Sequence, residues 1–209
     1  MTAVHPAKPP RRDPVPIIAA ADAARLGAAL EFAAAKHGRQ ARTGTTVPYV
    51  SHLLHVAGFV LEHGGSIDEA IAALLHDVVE DCAVSHATVR RRFGAKVSAL
   101  VDGCTDTLAG DTSTRKSAWR ARKEHYLTRL THDTHGHVLV SACDKRHNLK
   151  AIVDDVRRIG PTYMDRFSAA PDEQIWFYTT FRAAIAGRVP AALEEELDAL
   201  LADLRRLLT

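Results

Sequence analysis

The chain has 209 residues, 46% hydrophobic and 25% charged, with a formal net charge of +2. That profile gives ample length for one real core and excludes an intrinsically disordered chain or a strongly basic nucleic-acid binder. No apolar run approaches the ~20 residues of a membrane span, the N-terminus carries no signal-peptide core, and Cys82, Cys104 and Cys143 show no CxxC spacing. Reduced thiols in a cytoplasmic protein are therefore expected.

Residues 1–16 contain the proline-rich, basic stretch HPAKPPRRDPVP and are read as a disordered tail. The remainder, 17–209, is expected to form a single compact domain. Strand signals are almost absent and helical spacing recurs throughout, so the predicted class is an all-α bundle. A first helix is predicted over 20–36, ending near Gly38. The loop GRQARTGTTVPYVS follows, punctuated by Gly, Thr and Pro. Further helices are predicted over 50–63, 67–79 and 87–93, with another running from 95 into LVDGCTD. After a turn-rich stretch at 108–114, helices are predicted over 119–131, 136–156, 172–185 and 191–208. The last carries Leu197, Leu200, Leu201 and Leu204, a row that can pack internally or pair with a second copy; monomer and homodimer both stay open.

Residues 71–81 read IAALLHDVVED. Ile71, Leu74, Leu75, Val78 and Val79 recur at helical spacing and predict one apolar stripe, which leaves His76, Asp77, Glu80 and Asp81 on the other side. A solvent face normally carries long cations, and this one has none. Three carboxylates and an imidazole so close together repel unless something positive sits among them. A divalent metal answers that need, since imidazole nitrogen and carboxylate oxygen are its usual ligands. More ligands must come from elsewhere. YVSHLLHVAG offers His52 and His55, and LVSACDKRHNLKAIV offers Asp144 with Asn148 one turn later. No P-loop, HExxH or GxSxG pattern is present, which leaves ATPase, metalloprotease and serine-hydrolase readings without support.

Taken in order, these segments resemble the metal-dependent HD phosphohydrolase superfamily. HGRQARTG…VPYVSHLLHVAG, ALLHDVVEDC, FGAKVSALVDGCTD and ACDKRHNLKAI look like the hydrolase domain of the RelA/SpoT alarmone enzymes. KSAWRARKEHYL and DEQIWFYTTFRAAI…ALEEELDALL look more like the stand-alone small alarmone hydrolases, the metazoan SpoT-homologue group among them. The resemblance implies an all-helical HD-domain bundle that uses Mn²⁺, or Fe²⁺, Zn²⁺ or another divalent ion, to remove the 3′-pyrophosphate of guanosine alarmones. It implies His52, His76, Asp77 and Asp144 as metal ligands, Glu80 and Asp81 as the acidic pair that handles water, and Asn148 in the same centre. It further implies Arg42, Arg122 and Lys123 as nucleotide contacts. Lys116, Lys145 and Arg146 are added as cations available to phosphate oxygens. A small-molecule nucleotide is then the expected partner, with neither nucleic acid nor membrane.

Three departures from the family pattern fall on Leu53, where Pro is usual, Thr43, where many relatives have Lys, and Ala151, where the long enzymes have Thr. None touches a metal ligand. The alternatives left open are a related phosphohydrolase acting on adenosine alarmones, the 2′-phosphate of NADPH or another nucleotide, a catalytically silent nucleotide-binding module, and a helical nucleic-acid binder.

Overall fold

A computed structural model describes residues 18–108, 110–112, 114–132 and 136–208. The tail expected over residues 1–16 lies outside the described residues, as do two positions of the turn-rich stretch after residue 108.

Among the described residues the secondary structure is helical. It begins with α1 (Ala20–Lys36), α2 (Val50–Glu62), α3 (Ile67–Leu75) and α4 (Val78–Cys82). Next come α5 (His86–Phe93), α6 (Ala95–Cys104) and α7 (Trp119–Thr131). The long α8 (Val138–Ile159), a 3-10 helix (Pro161–Arg166), α9 (Pro171–Ala184) and α10 (Ala191–Leu208) complete the order. The all-α expectation holds, and most predicted boundaries fall within two residues of these. The 3-10 helix was not foreseen: its Pro161 opens a short turn too brief for a helical period to register.

Two differences matter for the site. The helix expected over 67–79 stops at Leu75, and a second, five-residue helix begins at Val78. His76 and Asp77 occupy the joint between them. Secondly, α3 is not striped. Ala70, Ile71, Ala72, Ala73, Leu74 and Leu75 are all buried, because α3 is the central helix, packed against α1, α2, α6 and α8. The alanines let neighbouring backbones approach from the side that spacing alone assigned to polar residues. A capping box starts this helix: the Ser66 hydroxyl accepts from the Glu69 amide while the Glu69 carboxylate accepts from the Ser66 amide.

The C-terminal helices close the bundle. α10 lies on α8 and α9, with Leu193, Leu197, Leu201 and Leu204 buried against them, so the leucine row packs internally. α7 leans on α9 through Trp119, Tyr126, Phe177 and Phe181. No helix among the described residues is long and apolar enough to cross a membrane. Close packing leaves one glycine no alternative: a Cβ on Gly103 of α6 would sit 2.2 Å from Nδ1 of the buried His137 ring. Gly103→Ala is therefore expected to lower stability by about 1–3 kcal/mol, read from urea unfolding, through overpacking rather than helix propensity.

Candidate metal centre and active-site cleft

Three elements bring four candidate ligand atoms to one point. His52 comes from the first turn of α2 and is fully buried; His76 and Asp77 come from the α3–α4 joint; Asp144 comes from the buried half of α8. His52 Nε2 lies 3.3 Å from His76 Nε2 and 3.2 Å from Asp144 Oδ1. His76 Nε2 lies 3.5 Å from Asp144 Oδ1 and 2.9 Å from Asp77 Oδ2, which is itself 3.8 Å from His52 Nε2. For donors at ~2.1 Å from a first-row ion, tetrahedral or octahedral edges run at roughly 3.0–3.4 Å. The observed spacings bracket that range, so the donor set fits a divalent cation in both chemistry and size. His52, His76 and Asp144 form a buried group able to hold one.

The surrounding groups fix the direction of each ligand. His76 Nδ1 donates to the Ala73 carbonyl at 2.7 Å, which leaves Nε2 to face the cluster. Tyr49 Oη donates to Asp77 Oδ2 at 2.5 Å, and Asn148 Nδ2 donates to Asp144 Oδ1 at 2.6 Å. Lys145 Nζ donates to the other Asp144 oxygen. Charge follows the same logic. Burial alone would raise the Asp144 carboxyl, but Lys145 and His76 beside it hold it well below the usual range. Burial pushes against a charged His76, yet Asp77 and Asp144 raise it well above an ordinary imidazole. His52 goes the other way, lowered by burial and by the neighbouring His76. The two imidazoles, 3.3 Å apart, oppose one another's charging.

Glu80 and Asp81 follow in α4, where the Asp81 amide donates to the Asp77 carbonyl at 2.9 Å. Lys116 Nζ lies 2.6 Å from Glu80 Oε1 and 3.5 Å from Asp81 Oδ1, while Gln40 Nε2 donates to Asp81 Oδ2 at 2.9 Å. Part of the acidic crowding in IAALLHDVVED is thus met by a lysine from a distant loop, and the rest by the metal locus. Burial, then Asp106 and Asp77, raise the Glu80 carboxyl above its usual range. That is the direction a proton-transferring carboxyl needs.

Asp106, not a candidate from residue pattern, anchors the basic residues Arg122 and Lys123. It pairs with both Arg122 Nη1 and Lys123 Nζ. Burial would raise this carboxyl, but Lys123 and Arg122 hold it down. Lys123, sharing that single anion with Arg122 and lying near Lys145, is lowered by its burial. Asp106→Ala removes the nearest carboxylate of two mostly buried cations, with Glu80 still 3.8 Å from Arg122 Nη1, and is expected to cost about 3–5 kcal/mol in chemical denaturation. A carboxyl lowered in the folded state stabilises above its unfolded pKa of about 3.9. Its contribution is lost as pH falls through the folded value, so this part of the loss is largest near neutrality and fades in acid.

A cleft of about 610 Å³ opens beside the cluster, lined by the polar residues Arg42, Asp81, Lys123, Lys145 and Asn148 and the aromatic residues Tyr163, Phe167, Phe177 and Tyr178. This volume is in the usual range for small-molecule sites. Arg42 Nη2 donates to Asn148 Oδ1 at 2.8 Å and its guanidinium lies over the Tyr49 ring. Its loop is tied down by Arg166, which donates to the Gly44 carbonyl. Gly44 has φ +72°, and a side chain there would strike the Arg166 guanidinium. Thr43 and Ala151, two of the departures from the family pattern, both line the cleft; the third, Leu53, is a core residue. Arg146 falls elsewhere: it pairs with Glu196 and covers Phe59 on the α10 side. His55 lies outside the four-residue cluster but at the cleft, exposed and in contact with the Ser51 carbonyl.

Sequence reasoning missed Tyr49, Gln40, Asp106 and His147, which contact the named residues without being candidates themselves. Tyr49 and Gln40 belong to the VPY and GRQ ends of a loop closed by the Ala41–Pro48 bridge. His147 lies three residues after Asp144, so their shared helix face was a signal available in the spacing.

A helical bundle that gathers His, His-Asp and Asp in this order around one locus defines a class, and the chain belongs to it: residues 29–162 match the HD domain family. Among its relatives, guanosine-3′,5′-bis(diphosphate) 3′-pyrophosphohydrolase MESH1 of Mus musculus is 36% identical over 144 residues, covering 68% of this chain and 74% of that protein. The Aquifex aeolicus guanosine-3′,5′-bis(diphosphate) 3′-pyrophosphohydrolase is 46% identical over 77 residues, 37% of this chain and 11% of that much longer one. A solved structure of a metazoan ortholog of SpoT that hydrolyzes ppGpp superposes with a TM-score of 0.70 at 28% identity, covering 89% of this chain and 97% of that one.

Proposed function

We propose that this protein is a metal-dependent hydrolase that removes the 3′-pyrophosphate from guanosine tetraphosphate or pentaphosphate, leaving GDP or GTP and releasing pyrophosphate. One observation carries the reading: the four-ligand locus of His52, His76, Asp77 and Asp144 lies beside a cleft walled by cations and aromatics. The similarity to enzymes named for this reaction supports the choice of substrate.

In this reading the four ligands hold Mn²⁺, with Fe²⁺ and Zn²⁺ suited by the same mixed N/O set. When bound, such an ion would supply Lewis acidity and lower the pKa of water. Glu80 takes a proton from the water that attacks the phosphorus bonded to the ribose 3′-oxygen. The P–O3′ bond breaks, the 3′-oxygen takes a proton from solvent, pyrophosphate leaves, and Glu80 returns its proton to solvent. Asp81, held by Gln40, and Asn148, held by Arg42, orient the reacting groups. Arg42, Lys116, Arg122, Lys123 and Lys145 offset charge that spreads over phosphate oxygens in the transition state. Tyr163, Phe167 and Phe177 offer apolar area for a purine.

A product assay on Mn²⁺-loaded protein tests this. The panel holds 3′-pyrophosphorylated guanosine and adenosine nucleotides, NADPH, and ordinary nucleoside triphosphates. Consumption of the guanosine compounds with stoichiometric pyrophosphate is expected. Turnover confined to NADPH or to the triphosphates overturns the reading, and equal rates on both 3′-pyrophosphorylated bases would remove the guanosine preference alone.

A further inference from the structure

Three of the four ligands have an outer partner already described: Ala73 for His76, Tyr49 for Asp77, Asn148 for Asp144. The fourth, His52, meets no carboxylate or carbonyl through its second nitrogen. It meets another imidazole. His52 Nδ1 lies 2.9 Å from His147 Nδ1, with ring centroids 4.9 Å apart. From this geometry we propose that His147 is a positioning residue for the metal centre, acting as the neutral acceptor that fixes the tautomer and the plane of His52.

The contact is nitrogen to nitrogen, so one partner must donate and the other accept. His52 presents Nε2 to the cluster, 3.2 Å from Asp144 Oδ1 and 3.3 Å from His76 Nε2. A neutral His52 that offers a lone pair there carries its proton on Nδ1. His147 Nδ1 is then the acceptor, and its own proton resides on Nε2. Helix geometry makes the arrangement possible: Asp144, His147 and Asn148 stand at i, i+3 and i+4 on α8. One face of α8 thus supplies a ligand, that ligand's orienting amide, and the orienting group for a ligand on α2.

An imidazole acceptor has a consequence that a carboxylate would not. It orients His52 without adding negative charge to a site already holding Asp77 and Asp144. Two carboxylates balance a divalent ion, and a third would leave the centre anionic toward a polyphosphate substrate. Ring contact adds rigidity: His147 packs between His52 and His55, 4.9 Å from each ring.

The inference rests on the metal reading of the site and not on the identity of the substrate. Its test is Mn²⁺ binding by calorimetry on chelator-stripped protein, comparing wild type, His147→Asn and His147→Leu, with thermal melts to confirm folding. Asn places an oxygen acceptor near the position of Nδ1, whereas Leu fills the space without one. The expected result is a loss of about 10–100-fold in Mn²⁺ affinity for His147→Leu, with His147→Asn within about threefold of wild type. Folded His147→Leu protein that binds as tightly as wild type overturns the proposal, as does an equal loss in both variants, which would mark simple packing. Wild-type protein that binds no Mn²⁺, Fe²⁺ or Zn²⁺ would instead overturn the metal centre itself.

Discussion

His76→Ala and Asp144→Asn are each expected to reduce metal-dependent turnover by on the order of 10³-fold or more, with bound metal falling from one per chain toward zero. Each removes one of only four converging donors and leaves a charge mismatch. In His76→Ala, two carboxylates face His52 without the imidazole that held them in register. In Asp144→Asn, Lys145 loses its anion and Asn148 loses a charged acceptor. Removing a member of a buried ionic group typically costs about 3–5 kcal/mol, so folding must be measured beside activity. Circular dichroism showing a helical, cooperatively melting protein with no turnover supports the assignment. Both variants retaining turnover would end it.

Glu80→Gln has the second-largest expected effect and separates chemistry from metal binding. Gln keeps the shape and an oxygen for the Lys116 ammonium that now lies 2.6 Å from Glu80. What it loses is the proton-accepting carboxylate, and positioned acid–base groups contribute about 10²–10⁴-fold. We expect kcat to fall by that factor, with KM and Mn²⁺ affinity changed by less than about threefold. Asp81→Asn serves as the comparison, since Asp81 sits against Gln40 at the cleft edge. If Asp81→Asn abolishes kcat and Glu80→Gln does not, the roles of the two are exchanged.

The fold was legible because helical periodicity survives in nearly every segment, and Gly, Pro and Ser mark the ends. It failed at the joint of α3 and α4. Spacing treats residues 67–79 as one helix, whereas the helix is interrupted at His76 and Asp77, where both residues keep right-handed helical angles and nothing in the residue spacing marks the break. A stripe calculation likewise does not show that α1, α2, α6 and α8 all pack on α3. At the site, the residues that converge, His52, His76, Asp77 and Asp144, were each candidates from residue type, order and family resemblance. Their supporting residues were not. Tyr49, Gln40 and Asp106 act through long-range contacts, and Asp106 lies at the end of LVDGCTD, where nothing local marks a carboxylate as the anchor for Arg122 and Lys123. Lys116 shows the reverse case. The loop after α6 looked like connecting chain, yet its ammonium reaches back to Glu80 and Asp81.

The central claim is that one divalent ion sits among His52, His76, Asp77 and Asp144. Crystals grown with Mn²⁺ and measured for anomalous scattering at the manganese edge test it directly. The account predicts a single strong peak about 2.0–2.3 Å from His52 Nε2, His76 Nε2, Asp77 Oδ2 and Asp144 Oδ1. A peak elsewhere, with these four atoms unliganded in protein that still turns over its substrate, would contradict it.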